Sequence, residues 1–476
     1  MGKLFQTSGV RGVTNVEITP ELALRIANLY GGWVRHERKI ASPCVAVGHD
    51  QRHGARMLAE AAMAGLTSAG IRVYDFGQVS TGVLSVSLTQ MHLDGAILVT
   101  GSHMPPERIG IIPLLADARY APPSVTDPLE AALADFPRWK IAVRPSELHP
   151  VIHVSKKASA DRYLAYLLAR LDVELIRSRH FRVLLDCGNG TTGETARALF
   201  RELGCEVAGL NMQPDPKPRR DSECRPESCE EAIERTGSIG CHVGFAYDGD
   251  GDRVLVIDEQ RHAMSMDVVA AILANQCLTN DATCVATINT SGLLAHVCRM
   301  KAAKLVYCPI GQPRLGEAVI RHLPAFACEP NSGKYAVCRF IPWFDAVFIS
   351  ALLLQIMVEK RRPISWFNEL FPPRFQASAK LTVNPAQKEA VFRRACELLR
   401  ERCHKYVITQ VNDMDGLRLD LEDLSWVLIR MSGTEPVARV YSDGSQERAN
   451  QLRDIGRICF EDAMAEQTAS DTAMNA

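Results

Sequence analysis

The densest chemistry in the chain is Asp248-Gly249-Asp250-Gly251-Asp252-Arg253. Three carboxylates at i, i+2 and i+4 converge only on a tightly turned backbone, which the glycines permit. Crowded carboxylates repel one another, so the pattern suits a hard dication such as Mg²⁺. A calcium-binding helix–loop–helix is the rival metal reading, with Glu259 at the twelfth place of its loop. Arg253 stands where that loop needs glycine, and a β-branched strand follows at once. A solvated acidic turn is the bland alternative, and the dication site is preferred to both.

Three further segments carry groups that could act on a substrate. Thr100-Gly101-Ser102-His103-Met104-Pro105-Pro106 follows an apolar strand. A serine on a glycine hinge beside a histidine fits a nucleophile or a phosphate carrier. Gly-x-Ser-x-Gly is absent, so a hydrolase elbow is not indicated. Arg430-Met431-Ser432-Gly433-Thr434-Glu435-Pro436, with Arg439 three residues on, combines two guanidiniums and two hydroxyls in an anion cradle between strands. Gly188-Asn189-Gly190-Thr191-Thr192-Gly193 matches the dinucleotide-binding glycine pattern. The next strand ends at Asn211, where a ribose-binding acid is wanted, so the match is weak.

These loops need strands and helices to hold them. Apolar strands alternate with amphipathic helices, the signature of α/β units. Strands are expected at 44–47, 73–76, 96–99, 183–185, 206–210, 254–257 and 284–288, and a buried helix around 346–354. Pro372-Pro373 reads as a linker. Beyond it the expectation is a helix over 387–403, two strands flanking 431–436 and a helix over 446–465, with the tail from Thr468 frayed. The 476 residues suggest three or four domains. Basic and acidic side chains, 54 against 55, cancel. General attraction to nucleic acid or anionic lipid is excluded, so an anionic ligand needs a local cluster. The fifteen cysteines form no C-x-x-C pair. That argues against structural zinc, and the chain is too large to need disulfides. No signal-peptide core and no span of about 20 apolar residues is present, so a soluble cytoplasmic protein is expected.

Taken in order, from Phe5-Gln6-Thr7-Ser8-Gly9-Val10-Arg11-Gly12 to Val440, the segments resemble the α-D-phosphohexomutase superfamily. Its members include phosphomannomutase/phosphoglucomutase and phosphoglucosamine mutase. Asp186-Cys187-Gly188-Asn189-Gly190 resembles the opening of that family's second domain, which accounts for the dinucleotide-like glycines. Arg220 through Glu227 resembles its Pro-Glu-rich loop, and Glu329-Pro330-Asn331-Ser332-Gly333 its sugar-hydroxyl loop. The resemblance implies an α/β fold of four domains around a central cleft. Three would be related mixed-sheet units, at 1–150, 151–258 and 259–372. A C-terminal α+β unit at 373–476 would clamp phosphate.

Carried over residue by residue, the resemblance makes Ser102 the phosphoserine. Asp248, Asp250 and Asp252 would bind one Mg²⁺, with Ser102 completing the metal site. Arg253 would stand beside the transferring phosphoryl group. Glu329, Asn331 and Ser332 would contact the sugar. Arg430, Ser432, Gly433, Thr434 and Arg439 would grip the non-reacting phosphate. Arg11, Asp50 and Arg52 match positions that support the serine loop. The chain departs from the family at Met104, at Ile112 in place of a lysine near the serine, and at Cys328. His103 and Lys334 are then the candidates for proton transfer. The expected activity is Mg²⁺-dependent interconversion of hexose 1- and 6-phosphates, glucose or mannose favoured, with a hexose 1,6-bisphosphate as activator. The alternatives are a phosphoglucosamine mutase and a divergent homologue that binds phosphosugar with little turnover. A phosphosugar is the implied partner, with no nucleic acid and no membrane.

Overall fold

Gly95–Val99 and Val243–Tyr247 are buried at every position. Strands covered on both faces read as unbroken apolar runs, without alternation. They lie at the centre of two of the four sheets in the computed structural model, which describes residues 4–6, 8–39, 42–432 and 436–474. The first sheet holds β1 (Phe5–Gln6), β2 (Gly9–Val13), β3 (Cys44–His49), β4 (Arg72–Gln78), β5 (Gly95–Val99), β6 (Arg108–Leu115) and β7 (Ile152–His153), in the order β1-β2-β6-β5-β3-β4-β7. The second holds β8 (Arg182–Asp186), β9 (Glu206–Leu210), β10 (Val243–Tyr247) and β11 (Val254–Asp258), in the order β11-β10-β8-β9. The third holds β12 (Thr283–Thr287), β13 (Lys304–Cys308), β14 (Phe326–Glu329) and β15 (Lys334–Ala336), in the order β13-β12-β14-β15. The fourth is antiparallel throughout: β16 (Phe375–Thr382), β17 (Ile408–Asn412), β18 (Leu417–Leu421), β19 (Trp426–Met431) and β20 (Val437–Gly444), in the order β16-β20-β19-β18-β17.

One topology recurs three times. In β3-β4-β5-β6, β8-β9-β10-β11 and β12-β13-β14-β15, the first three strands are parallel, with the first between the second and third. The fourth then folds back antiparallel on the third. The connection from third to fourth strand carries Ser102 in the first sheet, Asp248 to Arg253 in the second, and Pro330 to Gly333 in the third. One structural position thus delivers all three loops.

A continuous apolar cluster runs through the first three domains, from Ala46 through Leu185 and Ala286 to Phe371. The helix Ala346–Lys360 supplies much of it, buried along most of its length and capped by Asp345, which accepts the Phe348 N–H at 3.0 Å. The fourth domain has its own core between its sheet and the helices Lys388–Cys403 and Gln446–Met474. The last helix continues through the stretch expected to fray. The alanines there favour helix, and the Thr468 hydroxyl donates to the Met464 carbonyl at 2.8 Å.

The third and fourth domains join through a small cluster of Ile288, Trp426 and Leu428 and two polar anchors. Buried Arg418 lies between the Tyr307 and Trp426 rings, 4.4 and 4.3 Å from their centroids, and donates to the carbonyls of Ile288 and Thr290. Asp443 accepts from the Ser291 hydroxyl at 2.7 Å and the Gly292 N–H at 3.0 Å. All fifteen cysteines are free, twelve of them buried. Among the described residues no helix is long and apolar enough to cross a membrane.

Candidate active site

Ser102 adopts a φ of 48°, a left-handed conformation uncommon outside glycine, and is almost fully buried. Two residues from the end of β3 hold it there. Asp50 accepts the Gly101 N–H at 2.7 Å, the Thr100 hydroxyl at 3.0 Å and the Arg52 N–H at 3.0 Å. Arg52 donates to the carbonyls of Ser102, Met104, Pro105 and Arg108, so one guanidinium stitches the whole loop. Gly101 is obligatory beside it, because a Cβ there would collide with that guanidinium. Of the three positions expected to support the serine loop, Asp50 and Arg52 bond to it directly, whereas Arg11 donates to the Ser8 carbonyl.

The Ser102 hydroxyl donates to Asp248 Oδ2 at 2.8 Å, joining the first domain's loop to the second's. Asp248 Oδ1 accepts the N–H groups of Gly251, Asp252 and Arg253, which curls the loop around it. The loop's carbonyls are fixed from several sides: Gly249 by Thr191 N–H, Asp250 by Thr81 N–H, Gly251 by Ala346 N–H. Gly190 admits this approach, since a Cβ would collide with the Gly249 carbonyl. The dinucleotide-like glycines therefore pack against the protein's own backbone. Glu259 serves no metal loop; it accepts from Ser365.

Oxygens from Asp248, Asp250 and Asp252 lie within 4.8 Å of one another. Asp250 Oδ1 and Asp252 Oδ1 are buried and receive no hydrogen bond. Unpartnered buried carboxylate oxygens are costly, and their convergence fits a divalent cation. Burial, with the neighbouring aspartates, raises the pKa of Asp248 and Asp250. Burial acts the same way on Asp252, but Lys334 and Arg253 outweigh it and hold that carboxyl low. The residues present can hold a metal ion.

Cations ring the same point. Arg253 lies 3.7 Å from Asp248 and 3.8 Å from Asp252, and Glu223 accepts from it at 3.3 Å. His103 bridges Ser102 Oγ at 3.4 Å and Arg253 Nη2 at 3.5 Å. Burial, then Arg253, Arg11, Lys334 and Arg52, keep its imidazole neutral. Lys334 is buried, donating to Asp252 at 2.5 Å and to Gln312. Arg11 donates to the Ser8 carbonyl at 2.9 Å, its pKa lowered by burial. Ile112 is packed in the apolar cluster, so its place offers no proton-transfer group.

Glu329 is buried at the end of β14, and burial raises its pKa. The loop after it turns at Gly333, whose carbonyl accepts Val254 N–H at 3.1 Å and so touches the metal loop's strand. Asn331 is exposed and donates to the Asn289 carbonyl at 3.4 Å, and Ser332 is half-buried beside it. On the fourth domain, Arg430 and Arg439 stand directly opposite on β19 and β20. Asp415 pairs with Arg430 at 3.0 Å and also accepts Ile310 N–H at 3.1 Å. Ser432 N–H donates to the Val437 carbonyl at 2.8 Å, and its own carbonyl accepts from Lys388. Gly433 and Thr434 lie outside the described residues.

The sequence does not single out Gln312, Lys388 or Asp415, and it marks Ser222 and Glu223 only within the Arg220 to Glu227 segment. Ser222 accepts from Arg52, 170 positions away, and Gln312 meets Lys334 across 22. No local spacing signals such contacts.

Descriptions of phosphoglucomutase/phosphomannomutase domains match the chain in order: alpha/beta/alpha domain I over 2–136, domain II over 161–261, domain III over 265–374 and the C-terminal domain over 401–455. A protein of Thermococcus kodakarensis named phosphoglucomutase/phosphomannomutase is 31% identical over 471 residues, covering 98% of this chain and all of the relative. One of Methanopyrus kandleri, named "Probable phosphoglucosamine mutase", is 29% identical over 97% of this chain and 99% of its own. The crystal structure of a phosphoglucomutase/phosphomannomutase family protein from Burkholderia thailandensis superposes with a TM-score of 0.83 at 24% identity, covering 97% of this chain and 98% of that one. With four domains matched in sequence order and a relative alike along nearly its whole length, the chain belongs to the phosphoglucomutase/phosphomannomutase family.

Proposed function

We propose that the protein is an isomerase, a Mg²⁺-dependent phosphohexomutase that interconverts hexose 1-phosphate and hexose 6-phosphate through a phosphoserine at Ser102. The observation that carries this is the Ser102 hydroxyl on Asp248 at 2.8 Å, beside the unpartnered oxygens of Asp250 and Asp252. The four units, divided near 150, 258 and 372, each present one loop to a common cleft.

Phosphoryl transfer asks for positioning and charge stabilisation more than covalent chemistry. Asp248, Asp250 and Asp252 would hold Mg²⁺, which supplies positive charge to the phosphoryl oxygens when bound. Arg253 adds a second positive charge at the same place. The bond from phosphorus to Ser102 Oγ breaks as one forms to a sugar hydroxyl, whose proton passes to a neighbouring group. His103 and Lys334 are the side chains at hand for that proton. Glu329, Asn331 and Ser332 orient the sugar. Arg430, Ser432, Gly433, Thr434 and Arg439 grip the phosphate that is not reacting. The resulting bisphosphate turns over, and its other phosphate returns to Ser102. An added hexose 1,6-bisphosphate would recharge serines that lose their phosphate.

Glucose or mannose phosphate is the favoured substrate, and the Methanopyrus kandleri relative's name keeps glucosamine phosphate as the second reading. A coupled assay with glucose, mannose and glucosamine 1-phosphates, Mg²⁺ and a trace of hexose 1,6-bisphosphate decides between them. Turnover should fall about 10⁴-fold or more in Ser102→Ala, with loss of the phosphorylated fraction in intact mass. Full activity in that variant would sink the mechanism.

A further inference from the structure

We propose that the seat of the fourth domain on the third is a pH-sensitive latch whose titrating group is Asp267. The seat is one short stretch of chain after β12, Ile288 to Gly292. Its first three carbonyls accept from fourth-domain side chains: Ile288 and Thr290 from Arg418, and Asn289 from Gln376 at 3.3 Å. Its last two residues hold Asp443, through the Ser291 hydroxyl at 2.7 Å and the Gly292 N–H at 3.0 Å. The Asn289 carbonyl also accepts from Asn331 of the sugar loop at 3.4 Å, so the seat borders the cleft.

Charge at the end of this seat does not balance. Arg374, on the linker, donates to Asp443 from Nε at 3.0 Å and from Nη2. Half-buried Asp267, in the first turn of the helix Met266–Cys277, accepts the Ser291 N–H at 3.3 Å. Two carboxylates from different domains thus meet at one serine, and the guanidinium beside them is committed to Asp443. Behind Asp267 stand the Cys328 thiol of β14 and the Tyr335 phenol of β15, both kept neutral by burial. A cavity of about 320 Å³, lined among others by Asp267, Asn368, Arg374, Gln376 and Asp443, gives protons a way in.

Burial, and then Asp443, push the Asp267 carboxyl up to about 7, against the Ser291 N–H and Arg374. Undocking takes Asp443 away and lets Asp267 return toward an ordinary aspartate, which ionises near pH 4. The docked form is therefore the one that keeps the proton. Docking is firmest below about pH 4, weakens as pH rises to about 7 and is constant above it. Within that window each pH unit favours the open form by up to about tenfold.

The test is hydrogen–deuterium exchange of wild type, Asp267→Asn and Asp267→Ser from about pH 5 to 8, each rate divided by its intrinsic value at that pH. In wild type, protection of peptides spanning 288–294 and 437–444 should fall about tenfold or more between pH 5 and 7, then level off. The strand β5 of the first domain should not follow. Asp267→Asn, whose neutral amide can still accept the Ser291 N–H, should hold both peptides at their acid level throughout. Asp267→Ser, equally uncharged, should also lose the pH dependence. A flat wild-type profile overturns the latch without recourse to any variant. An equal fall in β5, or the wild-type fall persisting in either variant, overturns it as well. No substrate enters the measurement, so its outcome and that of the proposed function are independent.

Discussion

The first three domains share one apolar cluster beside clusters of their own, whereas the fourth has no part in the shared one and is joined to the third through a small apolar patch and the anchors at Arg418 and Asp443. The division follows the chemistry. Serine, metal and sugar loops sit on the shared core, where none can shift without disturbing packing between domains. The proposed phosphate cradle sits on the separately cored domain. A reacting centre needs its groups held to fractions of an ångström, while a grip on the distal phosphate must tolerate a sugar presented in two orientations. The serine loop shows the first design, with one buried arginine on four carbonyls. The cradle shows the second, with Arg430 held by a single part-exposed carboxylate.

Removing the metal is the harshest test of this division. A chelator should lower turnover by roughly 10³-fold or more, the scale of charge stabilisation in phosphoryl transfer, and Mg²⁺ should restore it. Phosphosugar binding, which the proposed function assigns largely to the fourth domain, should change far less. Mg²⁺ should also raise the thermal midpoint, because ligands that bind only the folded state stabilise it. Undiminished turnover and an unmoved midpoint in a metal-free preparation would exclude the aspartate cluster. Next in size is Arg52→Met. Breaking a buried pair leaves Asp50 uncompensated, at a cost of about 3–5 kcal/mol. A large fall in thermal midpoint and in kcat is expected, with KM nearly constant. A midpoint close to wild type would show the serine loop to be held otherwise.

A smaller effect should come from Asp345, which accepts from Tyr163 and caps the helix Ala346–Lys360. Burial pushes its carboxyl up to about 6, partly opposed by the Phe348 N–H and Tyr163. The unfolded chain releases this proton near pH 4, so its contribution to stability declines as pH rises from about 4 to 6 and stays low above. Asparagine caps helices comparably and does not titrate. Asp345→Asn should therefore gain on wild type across that window, by about 1–3 kcal/mol at neutral pH. Parallel midpoint-against-pH curves for the two proteins would count against it. Smallest is Asp415→Asn on the fourth domain. KM should rise by no more than about fivefold, the worth of a part-exposed ion pair, with kcat and thermal midpoint unmoved. A drop in kcat would mean that the cradle is coupled to the chemistry, contrary to the contrast drawn above.

Much of this was legible in the sequence because the chemistry is local. The Asp248 to Arg253 loop announces itself by spacing, and the strand before Ser102 is an apolar run that ends where the loop begins. The anchoring of these loops is non-local. Glu223 reaches Arg253 and Asp415 reaches Arg430 through chain folding, and neither contact leaves a periodicity to read. Strand register is likewise invisible until strands pair, which hides the opposition of Arg430 and Arg439 across β19 and β20. β15, three residues long, is too short for a pattern to show. The terminal helix runs on past Thr468, where small polar residues suggest fraying, because the alanines among them favour helix.

The buried thiols make the molecule its own gauge of local opening. The first domain carries Cys44 alone, the second five cysteines, the third six and the fourth three. Burial raises the pKa of nearly all of them, Cys187 and Cys205 to about 12, which leaves them slow to alkylate while the fold is shut. Cys403 and Cys459 lie in the fourth domain's own core, and Cys284, Cys298 and Cys328 in the shared one. A maleimide pulse followed by peptide mapping would read excursions of each core separately. Labelling should reach Cys403 and Cys459 before the third domain's thiols, since a separately cored unit can open by itself while a shared core opens only with its neighbours.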